Sequence, residues 1–218
     1  MAPTFELIVF DWDGTLMDSI GTIVACTQRA MAEVDLEPAS AEAIRDTVGL
    51  RLDMIMEQLL PEATDALRKR CLERYRHHWI HTFHQHLTLL PEARETVTTL
   101  AEAGFLLAVA TGKSRVGLER DFRATGLGEH FVASRTVDEA SSKPHPQMLL
   151  DLMEELGTRP GETLMVGDTS HDLLMARNAG TPSIAVLTGS HGRPQLEPHG
   201  PLACLGSAAE LPGWLSSR

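Results

Sequence analysis

The chain has few lysines and few cysteines, and no excess of positive charge. Its 218 residues carry 19 Lys and Arg against 30 Asp and Glu, a formal net charge of -11. That balance argues against nucleic acid or an acidic membrane surface as a partner. An anionic substrate must then be attracted by local features. The three cysteines, Cys26, Cys71 and Cys204, are odd in number and widely spaced, with no CxxC pair and no Cys/His finger. They fit buried small hydrophobes in a reducing compartment. No long apolar run occurs near the start, where Phe5 to Phe10 is broken by Glu6 and runs into Asp11. With no basic leader and no spanning segment, a cytoplasmic location is expected. Internal repeats and low-complexity stretches are also missing. The length suffices for one α/β domain or for a domain carrying an insertion.

Leu7-Ile8-Val9-Phe10 reads as a parallel strand buried on both faces. The period then changes. Ile20, Ile23, Val24, Thr27, Met31 and Val34 trace one helical face. A second helix is expected after Pro38, with Ser40 as its N-cap and Gly49 at its C-terminal end. Leu52, Ile55, Met56, Leu59 and Leu60 mark a third, stopped at Pro61, and Leu67, Leu72, Tyr75, Trp79 and Phe83 mark a longer fourth. Four helical patterns with no strand between them predict a helical insertion after the first strand. Alternation follows, with strands at Phe105–Ala110, Phe131–Ala133, Thr163–Val166, Ser183–Leu187 and Ala203–Leu205. Helices are expected from Pro91, over Arg115–Thr125, over Met148–Leu156 and over Ser170–Ala179, and an irregular loop over Gly189–Pro201. The expected fold is α/β, a Rossmann-like doubly wound parallel sheet with an inserted α-helical cap. Residues 1–14 and 88–218 would form the core, and 15–87 the cap.

Chemistry concentrates in four short segments, each ending a strand-like run or opening a helix-like one. In Asp11-Trp12-Asp13-Gly14-Thr15 the two carboxylates lie two residues apart, so an extended backbone projects both to one side. The further acids of a calcium-binding EF-hand are absent over Thr15 to Ile23. Thr111-Gly112-Lys113-Ser114 resembles the end of a P-loop, but the required earlier glycine is Leu107, inside a strand. What remains is a hydroxyl and a glycine amide near a helix N-terminus, suited to a single phosphate, with Lys113 adding local positive charge. Lys143 precedes Pro144 and is one of only three lysines, with Lys69 and Lys113. Asp168 and Asp172 frame a helix start, where they would serve as caps or as metal ligands. Together the segments can hold a hard metal ion and a phosphoryl group while a carboxylate attacks phosphorus.

The four segments, in this order, resemble the haloacid dehalogenase superfamily, and the helical insertion resembles the cap of its phosphoglycolate-phosphatase-like branch. The resemblance covers essentially the whole chain. It implies Mg2+-dependent hydrolysis of a small phosphate monoester, with phosphoglycolate as a candidate, through an aspartyl phosphate. It makes Asp11 the nucleophile and Asp13 the acid/base. Thr111 and Gly112 would bind the phosphoryl group, and Lys143 would neutralise both nucleophile and phosphate. Asp11, the Asp13 carbonyl and Asp168 would hold the metal, with Asp172 behind them. A dehalogenase has no use for Asp13, and a phosphonatase would need a cap lysine other than Lys69, which sits in the Arg68-Lys69-Arg70 run. A phosphosugar mutase uses both aspartates, although Thr15 is typical of phosphatases. A receiver-like phosphoacceptor domain is the alternative from another class. His77, His81 and His84 have metal-compatible spacing but read first as a solvated helix face, while His171 lies beside the metal acids or contacts the cap. Arg51, just after Gly49-Leu50, is expected to face the site from the cap and to bind a second anionic group of the substrate.

Overall fold

The computed structural model describes residues 5–83 and 87–217. Six parallel strands form the central sheet: β1 Leu7–Phe10, β4 Leu106–Ala110, β5 Ala133–Arg135, β6 Thr163–Gly167, β7 Ser183–Val186 and β8 Cys204–Leu205. Their order is β5-β4-β1-β6-β7-β8, with Leu7 opposite Leu106 on one side and Thr163 on the other. The central strands are apolar throughout because both faces are covered. Alternation along β1 sends Ile8 and Phe10 to one face and Leu7 and Val9 to the other. The first face packs against α5 (Ala93–Glu102), α6 (Arg115–Thr125) and α10 (Leu211–Ser216), through Val97, Leu118 and Leu211 among others. The second packs against α7 (Gln147–Leu156) and α8 (Ser170–Ala179), through Leu149, Leu152, Met175 and Ala176. Because β1 has later strands on both sides, the chain reverses direction across the sheet beside it. A crevice opens at the carboxyl ends of the strands there.

Among the described residues, four helices lie between β1 and α5 in the chain: α1 Ile20–Ala32, α2 Ala41–Arg45, α3 Leu52–Leu59 and α4 Asp65–His78, the last running into a π-helical turn at Trp79–Phe83. Ser40 and Thr64 cap α2 and α4, accepting from the amides of Ala43 and Leu67. The helices bury cores of their own. Cys26, Met31, Met56, Cys71 and Tyr75 make one, and Ile20, Ile23, Val24, Ile44 and Val48 another. The chain enters and leaves this bundle through a two-stranded antiparallel ribbon, β2 Met17–Asp18 and β3 Thr88–Leu89, that the sequence pattern did not reveal.

Several boundaries differ from expectation. Helix α2 ends at Arg45, so Gly49 sits in the following loop, with φ +92°. Pro91 and Glu92 form the turn before α5, with Glu92 in the left-handed region. The fifth strand is Ala133–Arg135, not Phe131–Ala133. Phe131 turns into the core to stack on Phe122 and meet Trp12 edge-on, and ladder pairing starts at Ala133 opposite Ala108. The stretch Gly189–Pro201 is not wholly irregular, because α9 (Arg193–Leu196) forms within it. Gly192 donates its amide to Gln195, and Leu196 is buried against Leu173 and Ala185. No helix among the described residues is long and apolar enough to cross a membrane.

Candidate active site

The chemistry-bearing segments converge at the carboxyl ends of three adjacent strands. Asp11 follows β1, Thr111 follows β4 and Asp168 follows β6. The backbone stays extended past the strand ends, with the Asp11 amide donating to Val166 (2.9 Å) and the Thr111 amide to Arg135 (3.0 Å). Trp12, between the two acids, points the other way. It is fully buried, packs edge-on against Phe122, and donates its indole N–H to Asp121 (2.9 Å). That anchor fixes the direction of the flanking carboxylates.

Lys143 is completely buried. Its Nζ lies 2.7 Å from Asp11 Oδ1 and 2.6 Å from Asp172 Oδ1. Burial alone would lower its pKa, but the two carboxylates outweigh it and hold the ammonium above its ordinary range. Asp172 serves the local fold as well, since its Oδ2 accepts from the amide and hydroxyl of Thr169 at the start of α8 (3.0 and 2.7 Å). The cap reading of Asp172 therefore holds, and the other oxygen of the same carboxylate reaches Lys143. Asp168 accepts from the Thr15 hydroxyl (2.8 Å) and the Ser190 amide (2.8 Å). Burial, then the charge of Asp172, pushes its pKa up to about 7 against the opposing Ser190 and Thr15 hydrogen bonds. Burial raises Asp11 well above the usual carboxylate range too. Lys143 opposes that shift, and the charges of Asp172 and Asp168 add to it.

Asp11, Asp168 and Asp172 each offer an oxygen within 4.8 Å of the others, with one buried ammonium among three carboxylates. Asp11 Oδ2 is buried and has no hydrogen-bond partner. Glycines make room for the acids. A Cβ on Gly189 would fall 1.9 Å from Asp168 Oδ2, and one on Gly167 would fall 2.4 Å from Asp172 Cγ. An all-oxygen donor set, excess negative charge and an unpartnered buried oxygen fit a hard divalent cation.

Asp13 does not join that cluster. Its carboxylate oxygens both lie 3.1 Å from Lys113 Nζ, which also stands 3.3 Å from Asp121 and 4.7 Å from the centre of the Trp79 ring. Lys113 is thus more than a diffuse positive charge, because it links the Asp13 carboxylate to α6 and to the helical bundle. Thr111 accepts from the Lys113 amide (3.2 Å), and Ser114 caps α6 by accepting from Gly117 (3.2 Å). The bundle closes over this end of the sheet. A Cβ on Gly112 would meet the Gly49 carbonyl oxygen at 2.4 Å, and His171 Nε2 lies 3.0 Å from the Asp46 carbonyl. Between bundle and sheet is a cleft of ≈ 520 Å³ lined by Asp11, Asp13, Thr111 and Gly112 below and by bundle residues above. Arg51 lines it as well, half-exposed, its Nε 2.6 Å from Asp53 Oδ1.

These features had no signal in the motifs. The Gly189–Ser190 loop and the Trp79 contact are set by distant parts of the chain, and Asp121 reaches Lys113 from within α6. Only the glycine next to a small polar residue after β7 hinted at a close approach. The His77 and His81 rings stand 4.7 Å apart on an exposed surface, with no metal-competent cluster there among the described residues; His84 lies outside them.

The sequence profile of the haloacid dehalogenase-like hydrolases matches residues 8–186. The chain belongs to that family. It is 34% identical over 198 residues to the phosphoglycolate phosphatase of Vibrio vulnificus, covering 87% of each chain. It is also 34% identical over 214 residues to the probable phosphatase IndB of Dickeya dadantii, covering 95% of this chain and 92% of that protein. The crystal structure of a hydrolase from Pseudomonas syringae superposes with a TM-score of 0.87 at 26% identity, over 99% of each chain. The protein is accordingly an enzyme of phosphatase type, and the parallel six-stranded sheet is that family's Rossmann-like fold. A signalling receiver does not account for this membership.

Proposed function

We propose that the enzyme hydrolyses a small-molecule phosphate monoester in two steps through an aspartyl phosphate on Asp11, with Mg2+ as cofactor. The observation that carries the reading is the pairing of Asp11 with the fully buried Lys143, which anchors Oδ1 and leaves Oδ2 unpartnered at the cleft floor. Asp11 and Asp168, with the Asp13 carbonyl, would hold the metal, and Asp172 anchors Lys143 behind them. When bound, Mg2+ supplies charge neutralisation for the phosphoryl oxygens and the crowded carboxylates.

In the first step Asp11 forms the new O–P bond while the ester O–P bond breaks. Thr111 and the Gly112 amide receive phosphoryl oxygens at the N-terminal end of α6. Asp13 gives its proton to the departing oxygen. In the second step Asp13 takes a proton from water as that water attacks phosphorus, releasing phosphate and restoring Asp11. Lys113 holds the Asp13 side chain in a single orientation for both transfers. Residues 15–87 act as a cap that excludes bulk water while Asp11 attacks. Arg51, at the rim, contacts the leaving group through a guanidinium already shared with Asp53.

The three cysteines are unpaired in the structure, in keeping with a cytoplasmic setting. 2-Phosphoglycolate, the substrate in the name of the Vibrio relative, is the reference candidate. The test is release of inorganic phosphate from an aryl phosphate with magnesium and with excess chelator. Turnover should require the metal and vanish in Asp11→Asn. It should fall roughly 10²–10⁴-fold in Asp13→Asn, as expected for lost acid/base catalysis. Full activity in chelator, or near-normal turnover of Asp11→Asn, overturns the mechanism. A mutase would return an isomeric phosphate without net phosphate release.

A further inference from the structure

The cleft above Asp11 is unlike one built for a two-carbon, doubly anionic ester. Ile23, Ile55, Leu72 and Trp79 face into it from the bundle. Trp79 lies on Tyr75 with ring planes 13° apart and centroids 5.9 Å apart, which makes a rigid aromatic wall. Two of the large hydrophobic side chains that remain exposed stand on its rim from opposite sides, Ile80 from the bundle (47% exposed) and Val116 from α6 (64%). A solvated mouth gains nothing from such side chains unless something apolar comes to cover them.

The cations near the reacting end are already engaged. Lys113 is shared between Asp13 and Asp121, and Arg51 is paired with Asp53. A carboxylate one carbon from the ester oxygen would therefore enter beside Asp13, where Lys113 and Arg51 already have carboxylate partners. The volume of ≈ 520 Å³ also lies within the range of about 300–1,000 Å³ common to small-molecule sites.

Resting on the phosphatase reading, we propose that the substrate is a phosphate monoester whose leaving group has an uncharged, ring-sized apolar body seated between Trp79 and Ile55 above and Val116 below. Arg76 and Arg120 also line the cleft, and no ion pair or side-chain hydrogen bond engages them among the described residues. They are left to meet a polar group carried by such a body.

The experiment compares ethyl, butyl, hexyl and 2-phenylethyl phosphates with 2-phosphoglycolate, using the whole enzyme with magnesium. The four alkoxide leaving groups have similar basicity, so differences in kcat/KM report binding of the leaving group and not its departure. Each methylene buried should raise kcat/KM about fourfold, so butyl phosphate should exceed ethyl phosphate about 16-fold. The 2-phenylethyl ester should be among the best and 2-phosphoglycolate should fall below butyl phosphate. Ile80→Ser and Val116→Ser, at exposed positions that the fold tolerates, should each lower the ratio of hexyl to ethyl turnover. A flat dependence on chain length, or 2-phosphoglycolate outranking the hexyl ester, overturns the assignment and leaves the phosphatase intact. Failure to hydrolyse any ester, an aryl phosphate included, overturns both.

Discussion

Replacing Asp168 by asparagine should stabilise the metal-free protein while removing its response to magnesium. Asp168 is fully buried, and its pKa of about 7 stands against an ordinary value of 3.8. An aspartate whose pKa rises on folding costs stability wherever the unfolded chain has released its proton. The cost is absent below about pH 4 and grows as pH rises towards 7. Above that it is constant, because both states are then ionised. About three pKa units at 1.36 kcal/mol each set the full penalty at about 4 kcal/mol.

Asparagine has the same shape and keeps both local contacts. Its carbonyl can accept from Ser190, and its amide can donate to Thr15, whose hydroxyl turns round to accept. The assay is urea unfolding of wild type and variant in chelator at pH 5 and pH 8, followed by thermal melts with added magnesium. The variant should be more stable in chelator, by a margin that widens from pH 5 to pH 8. Magnesium should raise the wild-type Tm and leave that of the variant nearly unchanged. A variant less stable at pH 8, or a margin independent of pH, would refute the electrostatic account of the cluster.

Lys143→Met removes the only ammonium between Asp11 and Asp172, and should cost about 3–5 kcal/mol at pH 8 without metal. Urea titration should show a smaller loss at pH 5 than at pH 8, since burial holds the Asp11 carboxyl above its usual range and removing Lys143 raises it further. An equal loss at both pH values would contradict the pairing. Gly112→Ala would drive a Cβ into the Gly49 carbonyl at 2.4 Å and hold the bundle away from the sheet. Its kcat/KM should fall on the order of 10²-fold with little change in Tm, as measured by phosphate release and calorimetry.

Most of the fold was legible because its signals are local. The apolar run ending at Asp11, the Ser40 cap, and the strand-to-acid junction at Gly167-Asp168 each declare themselves within a few residues. The ribbon β2–β3 was not legible, because two-residue strands carry no measurable period and their pairing spans the whole bundle. Lys113 was recognised as a charge, but its partner Asp121 lies two turns along α6, where an acid ordinarily reads as surface. The helix α9 hid inside a Gly/Pro-rich stretch because Gly192 and Pro194 punctuate its start instead of breaking it. Arg51 lines the cleft as its place after Gly49-Leu50 implies, but its pairing with Asp53 two residues away depends on side-chain rotamers that spacing does not encode.

The ribbon also bears on how such an enzyme diversifies. Met17 faces Leu89 and Asp18 faces Thr88, so the polypeptide departs from the sheet and returns to it at neighbouring points. Everything threaded between those points is a cassette with adjacent ends. It can lengthen, shrink or be exchanged without shifting the register of a single central strand or the positions of Asp11, Lys143 and Asp168. On the proposed mechanism, such an exchange would rebuild the upper wall of the cleft and leave the strand-end acids in place. Recombination at Asp18 and Thr88 should graft a foreign helical insert onto this sheet and transfer a new preference while the reaction stays the same.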